Sequence, residues 1–436
     1  MSKTEAAATK LAVDGGPKAF SARTGKPQPK IGVDEFMALA RRFGFKPEAL
    51  ARIQRSISNE DLIENGPTLA RYATAFPTPP SGEVFEALAK RTFNVPYALP
   101  ISSGTAALHA AMVAVGAGPG KEVIVPGVGF LATGMAAAFT GATPVFCDVD
   151  ESLHMDPSRI EPLITPRTIA LAPTHHWSGV CDMDPIMAIA RQHKLKVIED
   201  CAQSPGATYK GRYVGSIGDF GCFSISCYKI IGGGEGGLLL AHDERLFDRA
   251  CQLAEAGGLW RQDRFAPARY PGELFPGTNY RMSELEATVD VVQLEKLDQV
   301  VGRFRAVSRR IKSQLRKFKE VRWQKSNDPE GDIGYALRCF PKTFELGEKI
   351  VKALTAEGIG AGMRGKAAGP DWHLFRHMFP LFPSFAERCR TEMCPVAADL
   401  HDRNVSLWLD EWLSPADCDA IAAGLNKVFA AYCTAE

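Results

Sequence analysis

Seven short apolar runs, separated by longer helix-like stretches, constrain the fold of this chain more than any other feature. The runs are YALPIS (97–102), EVIVPG (122–127), TPVFCDV (143–149), TIALAPT (168–174), KVIED (196–200), GCFSIS (221–226) and GLLLAH (237–242). Short, continuously apolar runs are typical of strands that are buried on both faces. Because helix-like stretches alternate with them, they predict an α/β domain whose mostly parallel sheet is covered on both sides.

The chain is too long for one core. It has 436 residues, whereas a single core stops growing at roughly 250–300 residues. We predict an N-terminal segment (1–84) with a basic helix in VDEFMALARRFGF, which contributes to the small domain and the pocket. A large α/β domain (85–325) follows, and then a small C-terminal α+β domain (326–436). In the last part we expect a strand at 335–340, a helix at 346–357 and a closing helix at 415–432.

Two segments carry the signature of a helix start. In MDPSRIEPLI, Asp156 precedes Pro157, and in MDPIMAIA, Asp184 precedes Pro185. Aspartate is a favoured N-cap and proline a favoured first helical residue. We therefore expect Asp156 and Asp184 to cap helices.

Composition and charge exclude several classes of function. Lys and Arg total 51 against 50 Asp and Glu, a net charge of +1, which gives no reason to expect nucleic acid or a membrane surface as a partner. No apolar stretch approaches the ~18–20 residues of a spanning helix, and the N-terminus lacks the apolar core of a signal peptide. We expect a cytoplasmic protein.

The cysteine pattern argues against a metal centre. The eleven cysteines include no C-x-x-C pair, which indicates buried free thiols rather than a disulfide framework or a zinc site. His175 and His176 are adjacent, and adjacent side chains diverge on a strand. We predict no metal.

One lysine stands alone in an otherwise uncharged stretch. In DFGCFSISCYKIIGGGEGG (219–237), Lys229 is the single charged side chain between Asp219 and Glu235. Placing an ammonium between an apolar strand and a glycine-rich run costs desolvation free energy unless something uses it. A lysine that reaches solvent from the strand end is the commoner alternative.

Other polar residues follow the predicted strands, where ligands bind in open α/β sheets. Ser103, Gly104 and Thr105 open a helix after the first strand, and a helix N-terminus binds anions. Asp200 ends KVIED, and Phe130 follows VPGVG. Singly, Ser103-Gly104-Thr105 is equally a plain N-cap, Asp200 a solvated loop acid, and Ser224 a small core hydroxyl. Together, a phosphate site, a strand-end Asp and a lone Lys meet the requirements of pyridoxal phosphate (PLP) chemistry.

Several spaced motifs carry a resemblance to a known family. They are SSGTAALHAAMVAVGAGPGKEVIVPG, GATPVFCDVD, IEPLITPRTIALAPTHHWSG, KVIEDCAQSPGATYKGRYVGSIGDFGCFS, KIIGGGEGG and GTNYRMSELEA. Over residues 95–300 the chain resembles the DegT/DnrJ/EryC1/StrS family of PLP-dependent sugar aminotransferases, which have the aspartate-aminotransferase-like fold (type I). The opening LAVDGGPKA resembles the branch that acts on inososes.

The resemblance implies a role for each matched residue. Lys229 is the Schiff-base lysine, Asp200 pairs with the ring nitrogen, and Gln203 lies near the ring hydroxyl. Phe130 and Ala202 cover the two ring faces. The phosphate is held by Gly104, Thr105 and Ser224, and by Asn279 across a dimer interface, so a homodimer with shared active sites is expected. The remaining candidates, for substrate binding, are His175, Arg281, Arg364, Trp372 and His373, and a structural role for His175 stays open.

The implied reaction has two halves. A donor amino acid, glutamate or glutamine, converts PLP to pyridoxamine phosphate, and a ketone or aldehyde of a sugar or cyclitol then accepts the amine. Nucleotide keto-sugars, inososes and keto-octulosonates all remain open as acceptors. The chain departs from the family in the C-terminal segment GMRGKAAGPDWHLFRHMFPLFP, and Trp408 stands where members commonly have proline.

Two alternatives keep the fold and change the activity. One is a PLP-dependent sugar dehydratase or deoxygenase, in which histidine replaces the lysine, whereas Lys229 is present here. The other is a catalytically silent regulatory relative, against which stands the presence of every residue type that contacts the cofactor. The DFG at 219–221 lacks the other kinase elements, and GGGEGG lacks the G-K-[ST] of a P-loop.

Overall fold

The computed structural model describes residues 10–20, 22, 31–63, 69, 79–257, 270, 272–363, 383 and 391–436. The chain divides into two compact units, Met1–Leu69 and Ala70–Glu436. The finer boundaries at residues 84/85 and 325/326 remain predictions.

The described part of the first unit contains two helices, α1 (Val33–Arg42) and α2 (Pro47–Ser56). The predicted basic helix is confirmed as α1. Its first turn is held by Gly32, whose N–H donates to Glu35 Oε2 at 2.7 Å, and by Val33, whose N–H donates to Asn59 Oδ1 at 2.9 Å. These bonds satisfy N–H groups that a helix start leaves without partners.

The described part of the second unit alternates helices and strands. Its helices are α3 (Ser81–Phe93), α4 (Gly104–Ala114), α5 (Ala132–Phe139), α6 (Met183–His193), α7 (Glu244–Ala254), α8 (Glu284–Glu295), α9 (Leu297–Lys312), α10 (Phe344–Ala356), α11 (Pro395–Asp402) and α12 (Pro415–Tyr432). Its strands are β1 (Tyr97–Ile101), β2 (Glu122–Pro126), β3 (Thr143–Cys147), β4 (Thr168–Leu171), β5 (Lys196–Asp200), β6 (Thr208–Tyr209), β7 (Arg212–Tyr213), β8 (Phe220–Ser224), β9 (Gly237–Ala241), β10 (Val321–Trp323), β11 (Ala336–Pro341), β12 (Gly362–Met363) and β13 (Val405–Trp408).

The predicted mostly parallel sheet is confirmed. Seven strands form it in the order β1-β9-β8-β5-β4-β2-β3, and each of the seven apolar runs overlaps one of them. β9 is antiparallel to both of its neighbours, and the other pairs are parallel. Six strands therefore share one direction and end at the same edge.

Both faces of this sheet are buried, as continuous apolar strands require. Alternate residues of a strand point to opposite faces. Leu239 packs in the cluster that includes α4, α5 and α7, while its neighbours Leu238 and Leu240 pack in the cluster that includes α3, α6 and α8. Helices cover the two faces of the sheet, so a ligand site is expected at the edge formed by the six strand ends.

The C-terminal part forms a second, smaller sheet in the antiparallel order β10-β11-β13-β12. The predicted strand at 335–340, helix at 346–357 and closing helix at 415–432 are confirmed as β11, α10 and α12. Leu337 and Cys339 pack against these helices. Arg338 and Phe340 lie on the opposite face of β11, where Phe340 joins a cluster of the large sheet. None of the described helices is long and apolar enough to cross a membrane.

The two predicted helix caps need correction. Asp156 accepts a hydrogen bond from Ser158 N at 2.9 Å, but it caps only a short 3₁₀ turn, Pro157–Arg159. Asp184 caps nothing, because α6 begins one residue earlier at Met183 and its N-cap is Asp182. The Asp184 carboxylate pairs with Lys210 instead.

A buried carboxylate fixes the end of the central strand β5. Glu199 is fully buried, and its Oε1 accepts from Ile217 N at 2.8 Å and Gly218 N at 2.7 Å. Its Oε2 accepts from Gly215 N at 2.9 Å and from His175 Nε2 at 3.0 Å. Burial opposes ionisation of Glu199, but the His175 bond and the backbone N–H groups outweigh it and lower the pKa of this carboxyl.

We predict that Glu199→Ala lowers the stability of the protein strongly. The substitution leaves three buried N–H groups and His175 without their acceptor, a loss of about 3 kcal/mol. Glu161→Ala is the matched control, since it removes a half-exposed partner of His193 and should cost less than about 1 kcal/mol. Thermal unfolding midpoints of the two variants test this. Equal midpoints would contradict it.

Candidate active site

The residues that follow the shared edge of the large sheet surround a cavity of about 780 Å³. Chain segments after β2, β4, β5 and β8 contribute to it, together with residues of α9 and the small sheet. Its lining residues are Gly129, Phe130, His176, Trp177, Gln203, Tyr228, Lys229, Ile230, Phe304, Tyr335, Trp408, Leu409 and Glu411.

Asp200 ends β5 as a buried carboxylate with few donors. It is 2% exposed, and its Oδ2 accepts from Thr133 Oγ1 at 2.6 Å while its Oδ1 accepts from Ala202 N at 3.0 Å. Burial raises the pKa of Asp200, although Thr133, the Ala202 N–H and the charge of Lys229 oppose the rise. A cationic N–H partner would favour the ionised form of this acid.

Lys229 lies in a turn beyond β8 that the glycine-rich run holds in place. Its N–H donates to Ser226 O at 2.9 Å, and Cys227 N donates to Gly234 O at 3.0 Å. A Cβ at Gly232 would collide with Ser226 O, so glycine is needed there. Burial lowers the pKa of the Lys229 ammonium, against the charges of Asp200 and Glu235. A larger share of its amine is therefore neutral near physiological pH than in an exposed lysine.

A small cradle forms where β1 meets α4. Ser103 caps α4 by accepting from Ala106 N at 3.0 Å, and the first N–H groups of a helix attract anions. A Cβ at Gly104 would lie 2.9 Å from Ser224 Cβ, and one at Gly237 would collide with the Ser103 carbonyl. Because these two glycines have no side chain, β8 and β9 pack closely against the start of α4, while Thr105 is exposed.

Three more of the predicted cofactor residues follow strands that end at the same edge of the sheet. Gln203 lines the cavity, and its Oε1 accepts from Trp177 N at 3.1 Å. Phe130 also lines the cavity and is 44% exposed. Ala202 lies between Gln203 and the Cys201 that follows Asp200, and its N–H is the one bound by Asp200.

The structure distinguishes the two adjacent histidines. His175 is fully buried; its Nε2 bonds to Glu199 and its Nδ1 accepts from Cys181 N at 3.1 Å. Both ring nitrogens are thus used inside the protein, which favours the structural one of the two roles that the sequence left open for His175. His176 lines the cavity. Burial, followed by the charge of Arg338, lowers the pKa of His176 well below its ordinary value.

His175 also belongs to a group with metal-ligand chemistry. Its ring, Glu199 and Cys201 bring their donor atoms within 4.8 Å of one another. Glu199 already accepts four hydrogen bonds, and burial raises the pKa of the Cys201 thiol well above its ordinary value. A metal needs deprotonated thiolates and ligand atoms with free lone pairs. These three side chains therefore fit a hydrogen-bonded core better than a metal site.

Aromatic side chains form the wall contributed by the small sheet. The Tyr335 and Trp408 rings are stacked at 5.6 Å with 9° between their planes. The Arg338 Cζ lies 5.3 Å from the Trp408 ring and 4.1 Å from the Trp177 ring, and Arg338 Nη1 donates to Trp177 O at 3.0 Å. Trp177 has φ = 50°, a conformation that a bulky residue keeps only where its surroundings hold it.

Of the remaining predicted residues, the structure describes two. Asn279 is exposed, and its Oδ1 accepts from Arg281 N at 3.2 Å. Arg281 pairs with Ile101 beside the end of β1. Arg364, Trp372 and His373 lie outside the described residues. The role of Asn279 in a partner subunit's site remains a prediction.

The residues present fit PLP. The helix start at Gly104 suits a phosphate. Asp200, whose two oxygens accept one hydrogen bond each, suits a cationic ring nitrogen, and Lys229 lines the cavity with an amine of lowered pKa. Sequence reasoning missed Thr133, Glu199, His176, Trp177 and Arg338. Glu199 had a visible signal, since an acid beside Asp200 in an apolar strand must face the other side of the sheet and be buried there.

The fold and this arrangement define a fold type I aminotransferase, the class of enzyme predicted from the sequence. The chain belongs to the DegT/DnrJ/EryC1/StrS aminotransferase family, which residues 70–426 match. The predicted recognition as a PLP-dependent sugar aminotransferase is confirmed at the level of this family.

Relatives of known activity are similar over different lengths. GDP-perosamine synthase of Caulobacter vibrioides is 34% identical over 349 residues, which cover 77% of this chain and 86% of that protein. L-glutamine:2-deoxy-scyllo-inosose aminotransferase of Micromonospora echinospora is 41% identical over 219 residues, or 49% of this chain and 52% of that protein. The solved structure of DesV from S. venezuelae matches with a TM-score of 0.68 and 28% identity, covering 80% of this chain and 89% of DesV.

We predict that Gly104→Ala weakens PLP binding by displacing the start of α4. The new methyl group would press on Ser224 Cβ and close the cradle, which should cost at least about tenfold in affinity. Gly302→Ala is the matched control, because a Cβ there meets nothing within 4 Å. Equilibrium titration of the apoprotein with PLP measures both. An unchanged affinity for Gly104→Ala would contradict the cradle.

Proposed function

We propose that this protein uses PLP to transfer an amino group from glutamate or glutamine to the ketone of a sugar or cyclitol. The observation that carries the proposal is the convergence of Lys229, Asp200 and the Gly104 cradle at the carboxyl edge of one sheet. When bound, PLP supplies an electron-withdrawing ring that stores the amino group between donor and acceptor.

The chain's own residues supply binding and proton transfer. The α4 N-terminus, Gly104 and Ser224 hold the phosphate, and Asp200 provides the negative charge for the ring nitrogen. The lowered pKa of Lys229 lets its Nζ accept a proton near neutrality and return it in the second half of the reaction. Asp200 is buried and Lys229 is partly buried. Because water screens charges less inside the protein, the electrostatic interactions of both side chains are stronger there.

The acceptor we propose first is a nucleotide-linked keto-sugar. The similarity to GDP-perosamine synthase covers 77% of the chain, including much of the C-terminal half, and that half contributes Tyr335 and Trp408 to the cavity wall. An inosose is the second candidate, supported by the 41% identity to the inosose aminotransferase over a shorter stretch. The flat aromatic wall offers apolar surface to the face of either ring.

We predict that Lys229→Ala abolishes transamination and that Asp200→Asn retains the cofactor but loses most turnover. Removing the proton-transferring amine should cost at least roughly 10³-fold in rate, and neutralising the acid roughly 10²-fold. Lys210→Ala, which removes an exposed partner of Asp184, is the matched control. The amination rate with each donor and the PLP content of each variant are measured together.

Three results would count against these assignments. Lys229→Ala with the wild-type rate would remove the proposed base, and Asp200→Asn with the wild-type rate would remove the proposed counter-charge. A protein that binds PLP but aminates none of the keto-sugars or inososes offered would favour the catalytically silent relative.

We predict that Trp408→Ala raises the KM for the ketone and leaves the donor half-reaction unchanged. Loss of the stacked ring pair removes apolar surface from the acceptor wall, which should cost about tenfold in KM. Trp412→Ala is the matched control, since Trp412 is 72% exposed and stacks on Arg303 at 4.3 Å rather than lining the cavity. Steady-state kinetics with the ketone varied, and single-turnover kinetics with the donor, separate the two effects. A slower donor half-reaction in Trp408→Ala would contradict the assignment.

A further inference from the structure

One carboxylate lies on the aromatic wall of the cavity that Lys229 lines. Glu411 lines this cavity beside Tyr335 and Trp408, and it is the single acid among the described lining residues. Its side chain is 17% exposed. A pocket made mainly of apolar residues takes its specificity from the few polar groups that lie in it. The contacts of Glu411 therefore decide what this part of the cavity can bind.

Backbone and side-chain bonds hold the segment that carries Glu411 against the small sheet. Directly after β13, Leu409 donates its N–H to Tyr335 O at 2.9 Å. Asp410 Oδ1 then accepts from Trp412 N at 2.8 Å, which closes a tight turn around Glu411. These bonds fix the backbone on both sides of Glu411, so its side chain starts from a defined point of the cavity wall.

A single ion pair leaves one of the two carboxylate oxygens available. Arg303 Nη2 donates to Glu411 Oε1 at 3.0 Å. An arginine that faces a carboxylate squarely binds both oxygens through two parallel bonds, whereas Arg303 makes only this one bond to Glu411. Within the described parts of the chain, Glu411 Oε2 accepts no hydrogen bond, and it is not an enclosed atom. Arg303 thus orients the carboxylate and leaves Oε2 for a ligand.

The combination of this oxygen with the aromatic wall suits a hydroxylated ring. The stacked rings of Tyr335 and Trp408 offer a flat apolar surface to the C–H groups on the face of such a ring. Glu411 Oε2 accepts from O–H groups at its edge, and hydrogen bonds to an ionised acceptor are roughly twice as strong as those between neutral groups. An anionic group in the same place would be repelled.

We infer that Glu411 is a specificity-determining residue, which selects the acceptor by binding free hydroxyl groups of its ring through Oε2. The inference rests on the proposed function, because the ring in question is the one that carries the ketone. It specifies that function further: the edge of the acceptor that faces Glu411 carries free hydroxyl groups and no phosphate. A site built to bind a hydroxyl rejects a ring that lacks it, because the polar group of the site then stays unpaired.

Calorimetric titration of the PLP-loaded protein, without an amino donor, tests the inference with two pairs of probes. The compound scyllo-inosose is compared with cyclohexanone, the same ring ketone without hydroxyl groups, and GDP-mannose is compared with GDP. We expect saturable binding of scyllo-inosose or of GDP-mannose. Glu411→Ala should weaken that binding at least about tenfold and leave the affinity for the hydroxyl-free counterpart unchanged.

Two further variants separate hydrogen bonding from packing. Glu411→Gln keeps the size of the side chain but removes its charge, so it should weaken binding of the hydroxylated probe about threefold, between the wild type and Glu411→Ala. Glu273→Ala is the matched control. Glu273 is 19% exposed and pairs with Arg245, as Glu411 pairs with Arg303, but it does not line the cavity. This variant should bind the probes as the wild type does.

The probes also distinguish the source of the hydroxylated ring. Tighter binding of scyllo-inosose assigns the site to a free cyclitol, and tighter binding of GDP-mannose assigns it to a nucleotide-linked sugar. Absence of binding of both up to millimolar concentration, or wild-type affinity in Glu411→Ala, would overturn the inference. An equal loss for a hydroxylated probe and its counterpart would also overturn it. None of these results depends on amino transfer, so failure here and failure of the proposed function are distinguishable.

Discussion

A carboxylate that is buried at the end of the central strand is the constraint on which the site depends. Asp200 cannot move toward solvent, because β5 lies between β4 and β8 in the sheet and its N–H donates to Pro173 O at 2.9 Å. Among the described residues, Thr133 and the Ala202 N–H are the groups that donate hydrogen bonds to it. The protein therefore holds an acid whose ionised form needs a cation, in the place where a protonated ring nitrogen would supply one.

The opposite face of the same strand supports this arrangement. Because successive side chains alternate, Glu199 points away from Asp200 and receives His175 and three backbone N–H groups. This network is complete, which explains why its acid has a lowered pKa while that of Asp200 is raised. Two neighbouring carboxyl groups thus have different tasks, one structural and one directed at a ligand.

Much of this could be predicted from the sequence, because the decisive signals are local. The seven apolar runs identified the strands, and the isolated Lys229 and the strand-end Asp200 marked the edge where a site forms. What the sequence did not reveal involves contacts between distant residues. Arg338 reaches Trp177 across 161 positions, and the pairing of His175 with Glu199 depends on how β4 and β5 lie side by side. Asp184 was expected to cap α6, but its contact with Lys210 and the position of Asp182 are set by tertiary structure.

Covalent attachment of the cofactor to Lys229 is central to the proposed function. Borohydride reduction of the PLP-loaded protein, followed by digestion and mass spectrometry, locates the attachment directly. The account predicts one pyridoxyl group per chain on the peptide that contains Lys229, and none in the Lys229→Ala variant. A pyridoxyl group on other lysines, or the same labelling of both proteins, would contradict it.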